Sequence, residues 1–427
     1  MTADAIDQLQ QGRTGLFNDW HPPIMSWTWG MFDRVVPGAF GMFLFQLILF
    51  WAGWGMLVSL ASSQPLTRTF YFLLGFFPPI FMLLSTIMKD VLMTAAFLFG
   101  FALILYSRRK KSLGLFTTGL AFLTYGVLTR HNAILAALPL FLYAGWVFTK
   151  IKPEVLGHFV PFWRASIVGS VSFIILLLLG NACNTLLTKI KSYPYQQIMV
   201  HDLTGISLKI KINLLPSYLA SSEQPSLRDL RRIYQLRSMK NLYWPDFTPV
   251  HFRILYEPEQ VNNLRNIWLT NVIDHPHAYL SHRWAVFAAT MGINRNKACS
   301  PYYYEETLYK PKGFYQNSDL YYSGTPITDW LFTMVEPLRE SPLYWNWLYL
   351  LFSLLLLISA FFIILRQRQN ENAAIALALS GSGALYGLAY LFAATTCDFR
   401  MVLWNVVVTL ASFIFLGHTK DEQATMS

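Results

Sequence analysis

The sequence predicts an all-α polytopic membrane protein with about nine transmembrane helices and an external loop domain of mixed or α-rich structure. Of its 427 residues 54% are hydrophobic and only 13% are charged, whereas soluble domains carry about 25% charged residues. Apolar runs of bilayer-spanning length, about 17–25 residues, recur along the chain. One long polar segment, residues 187–342, interrupts them and is long enough to form a small domain.

The apolar runs define the candidate transmembrane helices. They cover residues 37–61, 67–86, 91–107, 113–129, 133–149, 164–186, 344–365, 373–395 and 401–418. Pro78 and Pro79 predict a kink in the second helix, because proline removes a helical hydrogen bond. The chain therefore divides into an N-terminal membrane module (1–186), an external domain (187–342) and C-terminal transmembrane helices (343–427).

Basic turns predict the orientation of these helices. Arg108–Lys111, Lys150 and Arg366–Arg368 fall at alternate helix ends, and such turns face the cytoplasm under the positive-inside rule. Much of the net charge of +10 lies in such turns, so it does not indicate nucleic-acid binding. The three cysteines predict neither a disulfide framework nor a metal cluster.

With this orientation, the polar motifs between the helices all fall on the outer side. They are Asp4 and Asp7, Asn18–Pro23, Lys89–Asp90, Arg130–Asn132, His201–Asp202 and Asp398–Arg400. Charges needed only for solubility would divide between both sides. The convergence predicts a site at one membrane surface.

The N-terminal motifs are each compatible with two interpretations. Asp4 and Asp7 share a helical face, where one could be a general base, or they could stabilise a helix N-terminus. Asp19 and His21 precede a rigid Pro-Pro pair and are suitable ligands for a divalent ion. The alternative is a polar turn that leads into an interfacial helix.

The motifs between later helices favour anion binding. Arg130 and Arg400 lie on the outer side against the positive-inside bias, and arginine is suited to phosphate oxygens; the alternative is snorkelling to the interface. Lys89 and Asp90 are either a pair of opposite charges that marks the end of a helix, or they point into a cavity shared with the other motifs.

The external domain offers weaker signals. His201–Asp202 and His282–Arg283 are interpreted as structural pairs. Residues 227–240 have the spacing of an amphipathic helix, with Ser226 as its N-cap. No P-loop, HExxH, nucleophile-elbow or Rossmann motif is present in the sequence.

Taken together, these motifs resemble the GT-C membrane glycosyltransferases. The matched elements are Asp4 with Asp7 and Gln8, the loop Asp19–Pro23, Lys89–Asp90 at a helix start, and Arg130 with Asn132. The nearest branches are the protein mannosyltransferases, the aminoarabinose transferases and the rhizobial lipopolysaccharide transferases. The resemblance covers the N-terminal half, with Asp398–Arg400 as a late match, and nothing in 187–342.

The resemblance implies transfer of a sugar from a polyprenyl-phosphate donor to a hydroxyl of a glycan, lipid or protein acceptor. It implies a multi-pass protein of the bacterial inner membrane, acting outside in cell-envelope polysaccharide biosynthesis, with membrane lipids and no nucleic acid as partners. Asp4 matches the catalytic base, and Asp90 matches a second essential acid. The other roles are substrate binding by Asp7, Lys89, Arg130, Asn132 and Arg400, and binding of a divalent metal (Mg, Mn or Zn) by Asp19 and His21.

One departure concerns the start of the chain. In the family a first transmembrane helix precedes the catalytic acid, but here only Met1, Thr2 and Ala3 precede Asp4. We therefore expect either an N-terminally shortened form or a start codon that was assigned too late.

Two other functions compete with glycosyl transfer from a monophosphate carrier. An O-antigen polymerase or ligase also has many spans and a large external loop, but it uses diphosphate-linked oligosaccharides and does not need the paired N-terminal acids. A non-enzymatic polysaccharide or lipid transporter predicts ionisable residues within the spans, and here the apolar runs are almost free of them.

Overall fold

The computed structural model describes residues 3–154, 161–221, 224–243, 250–293, 330, 333–338 and 340–417. Its regular elements are helices, and within these ranges strand-like pairing is limited to three isolated β-bridges. The predicted all-α class is therefore confirmed for the part of the chain that the structure describes.

Seventeen α-helices are used below to locate the site. The membrane helices and their N-terminal neighbours are α1 (Ala3–Thr14), α2 (Pro23–Val35), α3 (Phe40–Ala61), α4 (Pro65–Leu73), α5 (Pro78–Leu84), α6 (Lys89–Lys110), α7 (Leu113–Thr129), α8 (Ala133–Ile151) and α9 (Pro161–Leu187). The external segment contributes α10 (Gln196–Ile210), α11 (Leu227–Ile233), α12 (Lys240–Tyr243), α13 (Pro258–Asp274) and α14 (Pro276–Met291). The C-terminal helices are α15 (Asn346–Arg366), α16 (Glu371–Ala393) and α17 (Leu403–Gly417).

The helices make this a multi-pass membrane protein. Seven are long and apolar enough to cross a bilayer among the described residues, and an eighth span arises if the bent pair α4–α5 is counted as one. The bend of 59° lies where Pro78 begins α5, as the sequence predicts. The remaining predicted span, 113–129, corresponds to α7, an apolar helix of 17 residues that is shorter than the seven spanning helices. The structure therefore supports seven or eight of the nine predicted spans among the described residues.

Helix α6 forms the centre of the membrane bundle. Nearly every side chain from Asp90 to Leu105 is buried, because α3, α7, α8 and α17 pack around it. A helix surrounded by protein can carry polar groups at its end without exposing them to lipid. This position brings Lys89 and Asp90, at the start of α6, to the middle of one end of the bundle.

The opposite end of the bundle carries the basic turns. The Arg108 guanidinium pairs with Glu371 and lies 4.5 Å above the Trp146 ring, while Arg109 donates to the Leu60 carbonyl at 3.0 Å. Lys150 also lies over Trp146. The predicted cytoplasmic anchors thus meet at one end, and the polar motifs meet at the other.

The external segment has a hydrophobic core of its own. That core runs from Met199 to Leu264 along the chain. Val286, Phe287 and Met291 of α14 instead join the core of the membrane bundle. The segment is therefore fastened to the bundle through α14.

Helix α11 is shorter than the sequence predicts. Ser226 caps it as expected, in a reciprocal capping box with Asp229, but the helix ends at Ile233 and not at residue 240. Contacts with residues distant in the chain explain the early end of the helix. The Tyr234 hydroxyl donates to His282 at 2.9 Å, and the Gln235 carbonyl accepts a bond from His201 at 3.1 Å. Residues 235–238 then form a tight turn closed by a bridge between Gln235 and Ser238.

Helix α1 is held against α2 by a close backbone contact. A Cβ atom added at Gly12 would lie 2.9 Å from the Gly30 nitrogen, which is shorter than normal packing allows. Arg13 and Asp33 form an ion pair at 2.9 Å across the same two helices. The crossing fixes the helix that carries Asp4.

We expect Gly12→Ala to lower the free energy of unfolding by about 1–3 kcal/mol, because the added methyl group overpacks the crossing. Gly114→Ala is the matched control, since a Cβ there meets no atom nearer than 3.9 Å. Thermal unfolding in detergent measures both variants. Equal stability of the two would contradict the close contact.

Candidate functional site

A cavity of about 750 Å³ opens at the end of the bundle where the polar motifs meet. Its walls come from four parts of the chain: α1 and the loop after it, the starts of α6 and α8, the external segment, and the connection between α16 and α17. Among the motif residues it is lined by Asp4, Asp19, Trp20, His21, Pro22, Lys89, Arg130, His131, Asn132, Asp398 and Arg400.

Asp4, His21 and Lys89 form a chain of contacts on one wall. The Lys89 Nζ donates to His21 Nδ1 at 2.7 Å. The other ring nitrogen, Nε2, lies 3.6 Å from an Asp4 carboxylate oxygen. The Asp4 side chain is 41% exposed, and it lines the cavity. This carboxylate is therefore accessible to a molecule in the cavity.

Arg400 lies between three carboxylates. Its guanidinium is 3.0 Å from Asp398, 3.6 Å from Asp4 and 3.8 Å from Asp90. These partners come from the two ends of the chain and from α6. Arg400 thus joins the N-terminal helix, the centre of the bundle and the α16–α17 connection at one point.

Asp90 and Arg130 lie deeper than Asp4 and Arg400. Asp90 is 1% exposed and forms an ion pair with Arg130. Arg130 also donates to Asn132 at 2.6 Å and to the Tyr390 hydroxyl at 3.0 Å. Each guanidinium nitrogen of Arg130 therefore has a protein partner, and Asp90 does not itself line the cavity.

The loop that carries Asp19 is fastened to the start of the external segment. Asp19 accepts a hydrogen bond from the Ser192 backbone, and the Lys189 nitrogen donates to the Phe17 carbonyl at 2.8 Å. His131, which also lines the cavity, lies near the backbone of Asp19. These bonds hold the loop between α8 and the external segment.

The charges around Asp4 control its protonation. Desolvation raises the Asp4 pKa, but His21, Arg400 and Lys89 together outweigh it and place the pKa well below its usual range. Burial and the neighbouring Lys89 lower the pKa of His21. We conclude that Asp4 is ionised at neutral pH, because its pKa lies well below its usual range.

The structure also shows where the remaining predicted residues lie. Asp7 accepts a bond from Gln11 at 2.7 Å within α1 and is not part of the cavity lining. Burial raises its pKa. Eight of the nine predicted residues thus lie in or directly behind one cavity, and Asp7 lies beside it.

Asp19 and His21 do not have the geometry of a metal site. Both ring nitrogens of His21 face protein partners, and one of these is the Lys89 ammonium group, which would repel a cation. Asp19 already accepts a bond from Ser192. Because both nitrogens of His21 have protein partners, the residues present do not fit the predicted divalent ion.

Several lining residues have no counterpart in the sequence motifs. Among them are Tyr195, Arg237, Lys240 and Tyr390. Tyr390 supports Arg130 and donates to the Met401 carbonyl at 3.1 Å. Arg237 lies in the turn after α11 and Lys240 is the first residue of α12, and local sequence gives no sign that either approaches the membrane helices.

A second polar cluster is buried where α10 meets α14. Asp202 lies 3.0 Å from His282 and 2.6 Å from Arg283, and it accepts a bond from Trp268 at 3.0 Å. His201, Asp202 and His282 have ligand atoms within 4.8 Å of one another. However, Asp202 is already neutralised by the Arg283 cation, so the cluster fits a structural network better than a metal site.

This cluster also reaches the cavity wall. Arg283 donates to the Ala394 carbonyl at 2.9 Å, and the Cys397 nitrogen donates to the Arg237 carbonyl at 2.8 Å. The external segment therefore holds the connection that carries Asp398 and Arg400. Cys397 is also disulfide-bonded, a bond that the cysteine count did not predict, whereas Cys183 is free.

The buried histidines predict acid sensitivity. Burial and the nearby His282 lower the pKa of His201 to about 4, below its ordinary value near 6.5. Between these two values the unfolded chain binds a proton that the folded chain does not, so stability falls as the pH falls below 6.5.

We expect the free energy of unfolding to fall by roughly 1–2 kcal/mol between pH 6.5 and pH 5 through His201. Thermal unfolding across this range should show a smaller loss for His201→Gln than for the wild type. His277→Gln, on the exposed start of α14, is the control. An unchanged slope for His201→Gln would contradict the assignment.

The chain matches no protein-family model, no curated protein and no solved structure.

Proposed function

We propose that the protein is a GT-C-type glycosyltransferase that moves a sugar from a polyprenyl monophosphate to an acceptor hydroxyl. The observation that carries the proposal is the cavity itself. It combines an accessible carboxylate, Asp4, with the cations Lys89 and Arg400 at the end of a membrane bundle.

The cations suit a phosphate leaving group. When the bond between the sugar's anomeric carbon and the phosphate oxygen breaks, the electron pair remains on the phosphate. Lys89 and Arg400 both line the cavity and can stabilise this charge by preorganised electrostatics. Arg130 lies deeper than these two cations. Its guanidinium nitrogens already contact Asp90, Asn132 and Tyr390, so we assign it an indirect role.

The carboxylate of Asp4 suits the acceptor. As the acceptor oxygen forms its bond to the anomeric carbon, its proton passes to Asp4, which is ionised before the reaction. Such proton transfer contributes about 10²–10⁴-fold to a rate. Asp90 is buried against Arg130 and Arg400, so we assign it the role of positioning these two cations.

The position of the cavity suits a lipid-linked donor. A polyprenyl tail remains in the bilayer while its phosphate reaches the ends of α6 and α17, and the acceptor enters from the side of the external segment. The basic turns at the opposite end favour an outward-facing site under the positive-inside rule. The resemblance to the GT-C enzymes supports a bacterial inner membrane as its location and cell-envelope polysaccharide biosynthesis as its role.

Mass spectrometry of lipid-linked sugars tests the proposal. Cells that lack the protein should accumulate a polyprenyl-monophosphate sugar, and cells in which the wild type is restored should consume it. Accumulation of a diphosphate-linked oligosaccharide would instead indicate a polymerase or ligase. Identical lipid profiles in both strains would contradict an enzymatic role in this chemistry.

A further inference from the structure

We propose that α14 is an interfacial helix, whose exposed apolar side rests on the phospholipid surface at the end of the bundle that carries the cavity. The inference concerns the partner of the external segment and does not depend on the proposed function. Its basis is one apolar stripe on α14, formed by Leu280, Trp284, Phe287 and Met291, which continues from the protein interior to the protein surface.

The residues of the stripe lie on one side of the helix. They follow one another at intervals of four, three and four positions, which is the spacing of side chains that share a helical face. The rings of Trp284 and Phe287 contact each other, with their centroids 5.9 Å apart. The stripe therefore points in one direction along its whole length.

Burial divides the stripe into two halves. Phe287 and Met291 are 6% and 0% exposed and belong to the hydrophobic core of the membrane bundle. Leu280 and Trp284, earlier in the helix, are 57% and 58% exposed. Because both halves point the same way, the exposed half faces the membrane side of the external segment, beyond the edge of the bundle.

Two hydrogen bonds place α14 at the level of the membrane surface. Arg283 donates at 2.9 Å to the carbonyl of Ala394, which directly follows the spanning helix α16. Asn346, the first residue of the spanning helix α15, donates to the Thr290 carbonyl at 2.8 Å. A helix that is bonded to the ends of two spans lies across those ends. Trp284 then lies at the headgroup level, where tryptophan is enriched.

A cation borders the exposed half of the stripe. The ammonium group of Lys209, on α10, donates to the hydroxyl of Ser281, which stands between Leu280 and Trp284 in the sequence. In interfacial helices the apolar side enters the boundary of the acyl chains, and the neighbouring cations are attracted to anionic lipids. The stripe and Lys209 together fit the headgroup region of a phospholipid bilayer.

Spin-label accessibility tests the inference on the full chain in nanodiscs of phosphatidylcholine and phosphatidylglycerol. The background variant Cys183→Ser removes the free thiol and keeps the disulfide of Cys397. A nitroxide label is attached at Leu280→Cys or at Trp284→Cys. We expect molecular oxygen, which concentrates among the acyl chains, to relax both labels more strongly than a water-soluble nickel chelate does.

Two further labels calibrate the measurement. Ile358→Cys, on the exposed side of the spanning helix α15, reports lipid contact, and Asn262→Cys, at an exposed position of α13, reports water. We expect the oxygen-to-nickel ratio at positions 280 and 284 to lie close to that at 358. Both substituted side chains are exposed, so the melting temperature should equal that of Cys183→Ser.

Two results would overturn the proposal. A ratio at 280 and 284 equal to that at 262 would show that the stripe faces water. Weak relaxation by both reagents would show that protein covers the stripe, either a second copy of the chain or another part of the same chain.

Discussion

Replacing Asp4 by Asn is expected to lower the rate of sugar transfer by about 10²–10⁴-fold, the usual contribution of a general base. The amide keeps the size of the side chain but cannot accept the acceptor's proton. Because Asp4 is 41% exposed to the cavity, the substitution should leave the fold intact. Transfer from purified polyprenyl-phosphate sugar, measured beside the melting temperature, separates the two effects.

Asp274→Asn is the control for this experiment, since it removes a carboxylate from the exposed end of α13. Its transfer rate should equal that of the wild type. If Asp4→Asn retains more than about a tenth of the wild-type rate, a base contribution of the usual size is excluded. The base would then be one of the other carboxylates that line the cavity, Asp19 or Asp398.

The second large effect is expected for Asp90→Asn. Asp90 is 1% exposed and is the anionic partner of the buried Arg130, and Arg400 lies 3.8 Å away. Removing one partner of a buried ion pair typically costs about 3–5 kcal/mol, because the remaining charge stays desolvated. We therefore expect a marked fall in melting temperature together with a loss of transfer.

Glu371→Gln provides a matched comparison at the other end of the bundle. Glu371 also pairs with an arginine, Arg108, but its side chain is 46% exposed. An exposed pair of this kind contributes about 0–1 kcal/mol. If both variants shift the melting temperature equally, the buried position of Asp90 has no special importance for stability.

The membrane part of the fold could be predicted closely from the sequence. A bilayer admits only long apolar helices in a chain of this kind, so hydropathy located the helices, and alternation of the spans placed Asp4, Lys89 and Arg400 on one face. Sequence position alone did not show that Asp90 lies behind the cavity, because a residue at a helix start can point outward or inward.

The part of the cavity that the external segment contributes could not be predicted in this way. Arg237 reaches the cavity because Tyr234 and Gln235 bind histidines of α14 and α10, and these contacts end α11 early. Such contacts join positions far apart in the chain, and no local pattern records them. The same is true of Arg130, whose partner Tyr390 lies 260 residues further along the chain.

The position of Arg400 between three carboxylates has a consequence for the order of events. On the proposed mechanism, a donor phosphate competes with Asp4 for Arg400 and Lys89. As these cations turn toward the phosphate, they stabilise the Asp4 carboxylate less, and the pKa of Asp4 rises. Asp4 thus becomes a stronger base only after the sugar donor has bound. This favours an order in which the donor binds first and the acceptor is activated second.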